Sequence, residues 1–448
     1  MIKILNLSFY LFFLFFLNNC SFQNPGGFFE NKIEEFEKEL EKKNSILVFS
    51  PQKKFDKEIS GNVSAKLSNP VLIENWSENS LSSNNFIPNL SYSNEKNIIF
   101  KSKKIGKNKF NLSNIFFEPL VVNNQIFFSD HSGNIYSYSI NDKKLLWKFN
   151  FYKKRYKNYP IKIKLKILNN NLIVSDNLGY IYSVNIQTSQ IKWAKNYGIA
   201  FNSNIKIHNN KIFILNQDNK LYMISEINGN QILGLETFPS FLKTKYKTNI
   251  SLDSKNNNVF FITSNGELYS INYFSNNINW LSNIFPKNSS GSELFYSSPI
   301  VSRNDKIYFS SSVSTYSINT NNGSINWELP FSTNLRPIVT DQFVFLASEE
   351  GFIINIDNTT GKVIWSKSLY KEKSKLKKNK VGDLISILLV SDQILATTTK
   401  GYFLFIDYKT GKLLNYTKAS KTGFYSSPSI VNKMIYVIDN KLRVLIFN

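Results

Sequence analysis

The stretch "GNIYSYSINDKKLLW", residues 133–147, has the pattern of a β-hairpin, with an alternating strand, a polar turn and a second strand that ends in a tryptophan. The phrase occurs in seven copies, and self-similarity of this kind is the signature of a repeat architecture. We call its last position the Trp slot, and it holds Trp147, Trp193, Leu233, Trp280, Trp327, Trp365 and Asn415. In five copies a tyrosine stands eleven residues earlier, at Tyr136, Tyr182, Tyr222, Tyr269 and Tyr316. The constant spacing indicates that the hairpin geometry is repeated too.

Most copies are preceded by one further strand and turn, as in "PLVVNNQIFFSD", residues 119–130. Each unit therefore contains four short antiparallel strands. Units of about 40 to 50 residues with four strands and a closing tryptophan are typical of β-propeller blades and not of sandwiches. A single blade leaves its faces and edges open, so we expect the blades to close into a ring.

The sequence at the two ends of the repeat indicates how the ring closes. The last unit, "PSIVNKMIYVIDNKLRVLIFN" (residues 428–448), has only three strands. The segment "NIIFKSKKIG" (residues 97–106) can supply the fourth, with Phe100 in the Trp slot. We therefore predict an all-β, eight-bladed propeller of PQQ-like repeats over residues 86–448, whose last blade is closed by an N-terminal strand.

The tryptophans allow two interpretations, as packing residues between blades or as an aromatic platform for a flat cofactor. Packing is favoured, because the slot has drifted to Leu233 and Asn415 in two copies, which suits a repeated structural position better than one ligand face.

Candidate sites for metal binding and catalysis are weak. Asp and Gly residues share several hairpin turns, namely Asp130 with Gly133, Asp176 with Gly179, and Asp357 with Gly361. Turn chemistry explains these residues, and no spacing matches a calcium loop. The two histidines, His131 and His208, are too few for a zinc site without cysteines to help. The sequence predicts no metal, no catalytic residue and no cofactor.

The N-terminus "MIKILNLSFYLFFLFFLNNC" combines Lys3 with an apolar run from Ile4 to Leu17, which has the length of a signal-peptide core. We assign residues 1–19 to a signal peptide and expect export. Cys20, the sole cysteine, follows directly and cannot form an internal disulfide. "LNNC" looks like a bacterial lipobox, although Asn19 replaces the usual small residue. The alternative is an ordinary signal peptide with an incidental cysteine.

Residues 20–85 are interpreted as a lipid-anchored tether with a short amphipathic helix in "FFENKIEEFEKELEKK", residues 28–43. Residues 75–96 are rich in Ser and Asn, as linkers are. The net charge of +22 would suggest nucleic acid, but export argues against that partner. The lysine-rich run at residues 371–380 is predicted to be a solvated loop between blades.

The lipoprotein signal, the tether and eight blades together resemble the BamB family, propeller lipoproteins of the outer-membrane β-barrel assembly (BAM) machinery. The resemblance covers nearly the whole chain. It implies a non-catalytic scaffold at the periplasmic face of the outer membrane, lipid-anchored, with the BamA POTRA domains and other BAM subunits as partners and unfolded outer membrane proteins as further candidates. Ser21 after the lipidated position agrees with outer-membrane sorting.

The resemblance also implies two docking loops. "FPSFLKTKYK" (residues 238–247) matches the first, with Phe241 and Leu242 as apolar contacts and Lys243 and Lys245 near the arginine expected in the family. The second corresponds to "GSELFYSSP", residues 291–299, whose candidate contacts are Glu293, Phe295 and Tyr296.

Two other functions stay open from the sequence. Hairpins such as "GKVIW" also occur in quinoprotein dehydrogenases, so a PQQ-dependent enzyme is one alternative, although the related enzymes commonly use calcium and paired cysteines. An envelope glycan-binding lipoprotein is the other.

We predict that Cys20 carries the lipid. Metabolic labelling with a fatty-acid probe should mark the wild-type chain and leave Cys20→Ala unlabelled, since thioether and amide acylation both occur on that residue. Three acyl chains hold a protein on a membrane far more firmly than one. Equal labelling of the two proteins would contradict the assignment.

Overall fold

The structure, a computed structural model, describes residues 55–110, 117–152, 155–238, 248–284, 295–370 and 376–448. The chain divides into two compact units, Met1–Lys53 and Lys54–Asn448. The predicted signal peptide and the predicted helix at residues 28–43 lie outside the described residues.

The described residues form eight four-stranded antiparallel sheets, which confirms the eight-bladed propeller. Seven blades are continuous in sequence and take their strands in chain order. Blade 1 contains β2 (Leu120–Val122), β3 (Gln125–Ser129), β4 (Asn134–Ser139) and β5 (Lys144–Asn150). Blade 2 contains β6 (Lys164–Leu168), β7 (Asn171–Ser175), β8 (Tyr180–Asn185) and β9 (Ile191–Asn196). Blade 3 contains β10 (Lys206–His208), β11 (Lys211–Leu215), β12 (Leu221–Ser225) and β13 (Gln231–Leu235).

The remaining continuous blades follow the same order. Blade 4 contains β14 (Asn249–Asp253), β15 (Asn258–Ile262), β16 (Glu267–Asn272) and β17 (Asn277–Asn283). Blade 5 contains β18 (Val301–Arg303), β19 (Lys306–Ser310), β20 (Thr315–Asn319) and β21 (Ile325–Leu329). Blade 6 contains β22 (Ile338–Val339), β23 (Phe343–Ala347), β24 (Phe352–Asp357) and β25 (Val363–Ser368). Blade 7 contains β26 (Leu384–Val390), β27 (Gln393–Thr398), β28 (Tyr402–Asp407) and β29 (Leu413–Lys418).

Blade 8 is the composite one. It contains β30 (Ser429–Val431), β31 (Met434–Ile438) and β32 (Val444–Phe447), and its outer strand is β1 (Ile98–Lys101) from the N-terminal side. The pairing of β1 with β32 is antiparallel and joins Phe100 to Ile446. The predicted closure by an N-terminal strand is therefore confirmed.

Burial within each blade follows the distance from the axis. The first three strands of the blades are largely buried, while most residues of the outer strands are exposed or half-buried, as in β17. First strands of neighbouring blades lie beside one another and line the axis. The repeated tyrosine of the third strand is buried in every copy, with Tyr136 and Tyr182 completely enclosed.

Each tryptophan of the Trp slot contacts the next blade around the ring. Its indole Nε1–H donates to a backbone carbonyl of that blade in all five cases, at 2.7 to 3.0 Å, namely Trp147 to Ile186, Trp193 to Glu226, Trp280 to Thr320, Trp327 to Asn358, and Trp365 to Tyr408. The ring also covers the hairpin turn of that blade. At Gly361, φ is +73°, and a Cβ would lie 2.6 Å from the Cβ of Trp327, so glycine is required there. Packing between blades is thus confirmed.

The drift of two slots has a structural reason. Asn415 is exposed at the end of blade 7, and blade 8 has no outer hairpin for a tryptophan to cover, because β1 comes from elsewhere in the chain. Leu233 faces blade 4, whose outer turn carries Asn276 at φ +62°, where blades 3, 5, 6 and 7 carry glycine. Phe100 fills the slot of blade 8 and lies beneath the turn residue Lys143, whose Nζ is 5.7 Å from the ring centroid.

A β-bulge precedes the Trp slot in all seven continuous blades. In blade 1, Ser137 faces Trp147 and Tyr138 faces Leu145, so Leu146 is the additional residue. Bulges bend a strand and redirect its side chains. The repeated bulge sets the direction in which each tryptophan leaves its strand, towards the next blade.

The N-terminal part of this unit differs from the predicted tether. Residues 55–67, the edge segment, run along the outer side of blades 5 to 7. Ile59 pairs antiparallel with Ser366 of β25, with N–O distances of 3.2 and 3.0 Å. Gly61 passes so close to this edge that a Cβ would lie 2.1 Å from the carbonyl oxygen of Ile364. The compact unit therefore begins near residue 55, earlier than the boundary at residue 86 expected from composition.

Residues 71–92, the axial segment, cross the propeller axis. Their backbone bonds to the inner strands or inner turns of six blades, through Trp76 to Val121, Ser77 to Ile167, Ser83 to Leu252, Asn84 to Ser302, Leu90 to Leu389, and Ile73 to Asn432. The Ser and Asn residues that suggested a linker instead form hydrogen bonds with the blades. Asn85 Nδ2, for example, donates to the carbonyls of Ile250 and Ile300 at 2.8 and 2.7 Å.

The lysine-rich run at residues 371–380 is only partly a solvated loop. Residues 371–375 lie outside the described residues. Leu376 is fully buried, and the short helix α1 (Lys378–Val381) follows it, with Val381 also buried. The run is anchored to the propeller by these two apolar side chains.

We predict that Trp327→Ala lowers the free energy of unfolding by roughly 3 to 5 kcal/mol, because it leaves a cavity over Gly361 and removes the hydrogen bond to Asn358. Denaturant unfolding of the two proteins measures the difference. Asn415→Ala is the matched control, since that slot covers no turn, and it should change stability little. A similar small change for Trp327→Ala would mean that the indole does not stabilise the seam.

Candidate docking surface and the ionic cluster at the axis

Most residues of the predicted sites lie outside the described residues. These are Cys20, Phe241, Leu242, Lys243, Lys245 and Glu293. The structure does describe where the two predicted loops leave and rejoin the blades. The first joins β13 of blade 3 to β14 of blade 4, and the second joins β17 of blade 4 to β18 of blade 5. They are consecutive connections from an outer to an inner strand, so their described ends lie on the same face of the ring.

The ends of the two loops are in direct contact. Asn249, just after the first loop, donates from Nδ2 to the carbonyl and the hydroxyl of Ser297 at 2.7 and 3.0 Å. Ser297 belongs to the second loop. The structure therefore brings the two sequence-predicted segments together at their bases, on neighbouring blades.

The start of the first loop is anchored to the turns of blades 3 and 4. Thr237 Oγ1 donates to the carbonyl of Asn219 at 3.3 Å, and Asn265 Nδ2 donates to the carbonyl of Phe238 at 3.5 Å. The side chain of Phe238 is nevertheless 61% exposed. An aromatic ring held on an anchored backbone and presented to solvent is a suitable contact for another protein.

The two described residues of the second loop differ from each other. Phe295 is buried in a core cluster with Phe260 and Leu268 of blade 4, so its ring supports the loop from below. Tyr296 is half-buried. A docking partner could reach Tyr296 but not the ring of Phe295.

A second feature, which the sequence did not predict, is a buried ionic cluster at the axis. We define the axial cluster as Glu78, Glu118, Lys166, Lys206 and Arg336. Their side chains are between 0 and 13% exposed. Glu78 Oε1 accepts from Lys166 Nζ at 2.5 Å, and Glu78 Oε2 accepts from Lys206 Nζ at 2.9 Å.

The other carboxylate connects the axial segment to blades 1 and 6. Glu118 precedes β2 and accepts from Arg336 Nη1 at 3.2 Å. Its second oxygen accepts from Trp76 Nε1 at 3.0 Å and from the backbone N–H of Ser80 at 2.6 Å. The cluster thus ties the axial segment to blades 1, 2, 3 and 6.

The charges of the cluster depend on one another. Burial alone would raise the pKa of Glu78, but the adjacent ammonium groups of Lys206 and Lys166 outweigh it and hold the pKa below its ordinary value. Burial lowers the pKa of Lys206, while the Glu78 carboxylate acts in the opposite direction. The sequence contains one indication of this cluster. Lys166 and Lys206 stand next to apolar residues in inner strands, and lysine is almost never fully buried without a partner of opposite charge.

The turn carboxylates are engaged in turn chemistry. Asp130 Oδ1 accepts from the N–H groups of Ser132 and Asn134, and Asp176 Oδ1 accepts from those of Leu178 and Tyr180. Within the described ranges, no three His, Cys, Asp or Glu side chains are grouped so as to hold a metal ion.

The histidines are apart from each other. His131 is buried, and its Nδ1 lies 3.2 Å from the hydroxyl of Tyr425, at the seam between blades 1 and 8. The ring of His208 lies 5.9 Å from that of Tyr273 in blade 4. In the part of the chain that the structure describes, no helix has the length and apolar character to cross a membrane.

A family model described as outer membrane protein assembly factor BamB matches residues 101–294, 169–367 and 353–448. These matches together cover well over half of the chain. The chain belongs to the BamB family. No curated protein matches it in sequence.

Solved structures share the fold at low identity. BamB from Moraxella catarrhalis has a TM-score of 0.62 and 12% identity, over 79% of this chain and 99% of that one. A europium-containing methanol dehydrogenase has a TM-score of 0.61 and 10% identity, over 81% and 89%. Quinohemoprotein alcohol dehydrogenase from Comamonas testosteroni has a TM-score of 0.60 and 9% identity, over 83% and 80%. Because the BamB structure and the dehydrogenases resemble this chain equally well, these likenesses concern the fold alone.

We predict that Glu78→Gln destabilises the propeller by roughly 3 to 5 kcal/mol, because it leaves two buried ammonium groups without their carboxylate. Chemical unfolding at neutral pH measures the loss. The pKa of Glu78 is depressed in the folded state, so its contribution is present above the ordinary value of 4.5 and is lost as the pH falls through the folded pKa. The difference between the two proteins should therefore shrink in acid.

Glu236→Gln is the control for this prediction. Glu236 forms an ion pair with Lys220 at 3.0 Å, but its side chain is 78% exposed, and exposed pairs contribute little. A Glu78→Gln protein as stable as this control would show that the cluster does not hold the axial segment.

Proposed function

We propose that this BamB-family chain is a non-catalytic scaffold that assists the folding and insertion of outer membrane proteins. Its partner in this role is the POTRA region of BamA, within the BAM complex. The observation that carries the proposal is the contact between the described ends of the two loops, in which Asn249 donates to Ser297. The proposal also rests on the family, whose description names outer membrane protein assembly.

The composition of the first loop supports a protein contact. It presents Phe238 at its base, and the sequence adds Phe241 and Leu242 beside Lys243 and Lys245. Apolar side chains ringed by charge are typical of interface hot spots. Tyr296 of the second loop is close enough to the surface to extend this contact, while Phe295 supports it from the core.

A scaffold role is also supported by the axial segment, which occupies the propeller axis. The axial segment bonds to the inner strands, and Trp76 and Leu90 are fully buried there. A ligand that approached along the axis from the side of the inner turns would have to displace this segment. We therefore propose that the chain is not a quinone-dependent enzyme, and that it needs neither cofactor nor metal.

The location follows from the proposed anchor. Lipidation at Cys20 would hold the chain at the periplasmic face of the outer membrane. The described residues nearest to the anchor are bound to the propeller. The edge segment pairs with blade 6, and the axial segment bonds to the inner strands.

The double change Phe241→Ala with Lys243→Glu tests the interface. We expect the variant to keep the unfolding midpoint of the wild type and to lose most of the co-purifying BamA, because it removes an apolar anchor and reverses a charge. Phe274→Ala is the matched control. Its ring is 80% exposed but lies on the outer turn of blade 4, at the opposite end of its strands from the loops.

Two outcomes would contradict the proposal. If the double variant is folded and BamA still co-purifies at wild-type yield, the partner binds elsewhere. If the purified chain binds pyrroloquinoline quinone with calcium and reduces a dye, the scaffold role is wrong.

A further inference from the structure

The two faces of the ring differ in charge. Strands alternate in direction within each blade, so the connections from an outer strand to the next inner strand share one face with the turns between second and third strands. We call it the connection face. The turns between first and second strands, and between third and fourth strands, lie on the opposite face, which we call the hairpin face.

The hairpin face is nearly neutral. Its turns, all of them within the described residues, hold six lysines and five carboxylates. Asp142 and Lys143 even share one turn of blade 1. A lysine-rich composition alone therefore does not make a face of this propeller strongly positive.

The connection face carries a band of exposed lysines across blades 7, 8, 1 and 2. We define the basic arc as Lys107, Lys109, Lys157, Lys400, Lys421 and Lys441, all of which are exposed. None of the six forms an ion pair with a carboxylate of the described residues. Their charges are therefore presented to solvent.

The basic arc is contiguous. Four hydrogen bonds join the successive turns and connections that carry its lysines, namely Phe424 N–H to the carbonyl of Thr399 at 3.3 Å, Asn440 N–H to that of Gly423 at 3.2 Å, Ile105 N–H to that of Leu442 at 3.1 Å, and Lys109 Nζ to that of Lys157 at 2.6 Å. In this order they lead from the turn of blade 7 to the connection between blades 1 and 2. The six lysines thus belong to one surface.

The described carboxylates of the same region are already engaged. Glu118 belongs to the axial cluster, and Asp383 is exposed but pairs with Lys378 at 3.1 Å. Three others are at most 2% exposed and accept hydrogen bonds within their own turns, namely Asp130, Asp176 and Asp439. Neighbouring lysines repel one another unless a negative surface lies against them, so the arc suits an anionic partner.

The edge segment starts on this same face. Phe55 N–H donates to the carbonyl of Pro330 at 2.7 Å, and Pro330 lies in the connection from β21 to β22. The N–H of Ser368, where β25 reaches the connection face, donates to Glu58 at 2.9 Å. Cys20, the proposed lipid anchor, precedes this segment in the sequence. The chain therefore enters the propeller from the face that carries the basic arc.

We propose that the basic arc binds an anionic phospholipid surface, so that the connection face of the propeller lies towards the membrane. Lysine is a mobile point charge, and lysines spread over several blades suit a field of headgroup phosphates better than a partner of fixed shape. Tyr159, close to Lys157 in the chain, is 53% exposed, and tyrosine is favoured at membrane interfaces. The lipid anchor holds the chain at the membrane, and the arc sets the direction in which the propeller faces.

This inference rests on the lipid anchor of the proposed function but not on its docking loops. The loops belong to blades 3 to 5, whereas the arc belongs to blades 7, 8, 1 and 2. The two contacts therefore use different residues and can be tested separately.

Lysine acetylation of the full chain, purified from the membrane fraction, tests the arc. The chain is bound to vesicles of phosphatidylcholine alone or of equal parts phosphatidylcholine and phosphatidylglycerol, and mass spectrometry follows each lysine. We expect the arc lysines to react several-fold more slowly on the anionic vesicles only. Lys255, Lys412 and Lys433 on the hairpin face are exposed controls and should react alike on both. High salt should remove the difference, because exposed charges are screened.

Two charge-reversal variants connect the effect to the arc. The arc variant carries Lys107→Glu, Lys421→Glu and Lys441→Glu, and the control variant carries the same change at Lys255, Lys412 and Lys433. All six lysines are exposed, so both variants should keep the unfolding midpoint of the wild type. The arc variant should lose the slower reaction of Lys157 on anionic vesicles, and the control variant should keep it.

Two results would overturn the proposal. The first is equal acetylation of the arc lysines on both kinds of vesicle. The second is that soluble polyglutamate slows their reaction as much as anionic vesicles do, which would make the partner an acidic polypeptide.

Flotation of the chain with the vesicles reports on the anchor independently. A chain that floats with both kinds of vesicle has a working anchor, and the acetylation rates then decide the role of the arc. Flotation with anionic vesicles alone would contradict lipidation at Cys20 and support the arc, and flotation with neither would contradict both.

Discussion

The ring depends on how one tryptophan fits the blade beside it. The indole N–H of all five tryptophans in the Trp slot donates to a carbonyl of the next blade. Four of the rings also lie on a glycine of that blade's outer turn, namely those of Trp193, Trp280, Trp327 and Trp365. Both parts are needed, because a side chain at the glycine would collide with the ring, and a smaller residue in the slot would leave a cavity. Repeated at five of the eight seams, this contact holds successive blades together.

Much of the fold could be predicted, because it is written in repeats. The strand periodicity, the constant distance from tyrosine to tryptophan and the missing last strand give the blade number and the closure by β1. The bulge before each tryptophan could not be predicted, since one additional residue in an outer strand hardly changes the hydrophobic pattern. The drift at Asn415 became clear only when β1 was seen to replace the last hairpin.

The axial segment shows why composition misled. Ser, Asn and turn-forming residues are typical of linkers, but they are also the residues that bond to exposed backbone groups of inner strands. Asn85 reaches two carbonyls from different blades, and Glu78 finds lysines that are 88 and 128 residues away. Such partners are set by the closed ring, so no local pattern reveals them. The candidate docking site could also be predicted only in part. The family resemblance located its two loops, but only the structure shows that Asn249 contacts Ser297.

The closure of blade 8 has a consequence for biosynthesis. β1 is synthesised before the seven continuous blades and its partner β32 after them, with Phe100 opposite Ile446. Contacts so distant in sequence are slow to form, because a long loop must close first. Until β32 is made, β1 remains without its partner in blade 8. A nascent chain therefore exposes an unpaired strand edge until β32 is made, and removal of β32 would leave the ring open.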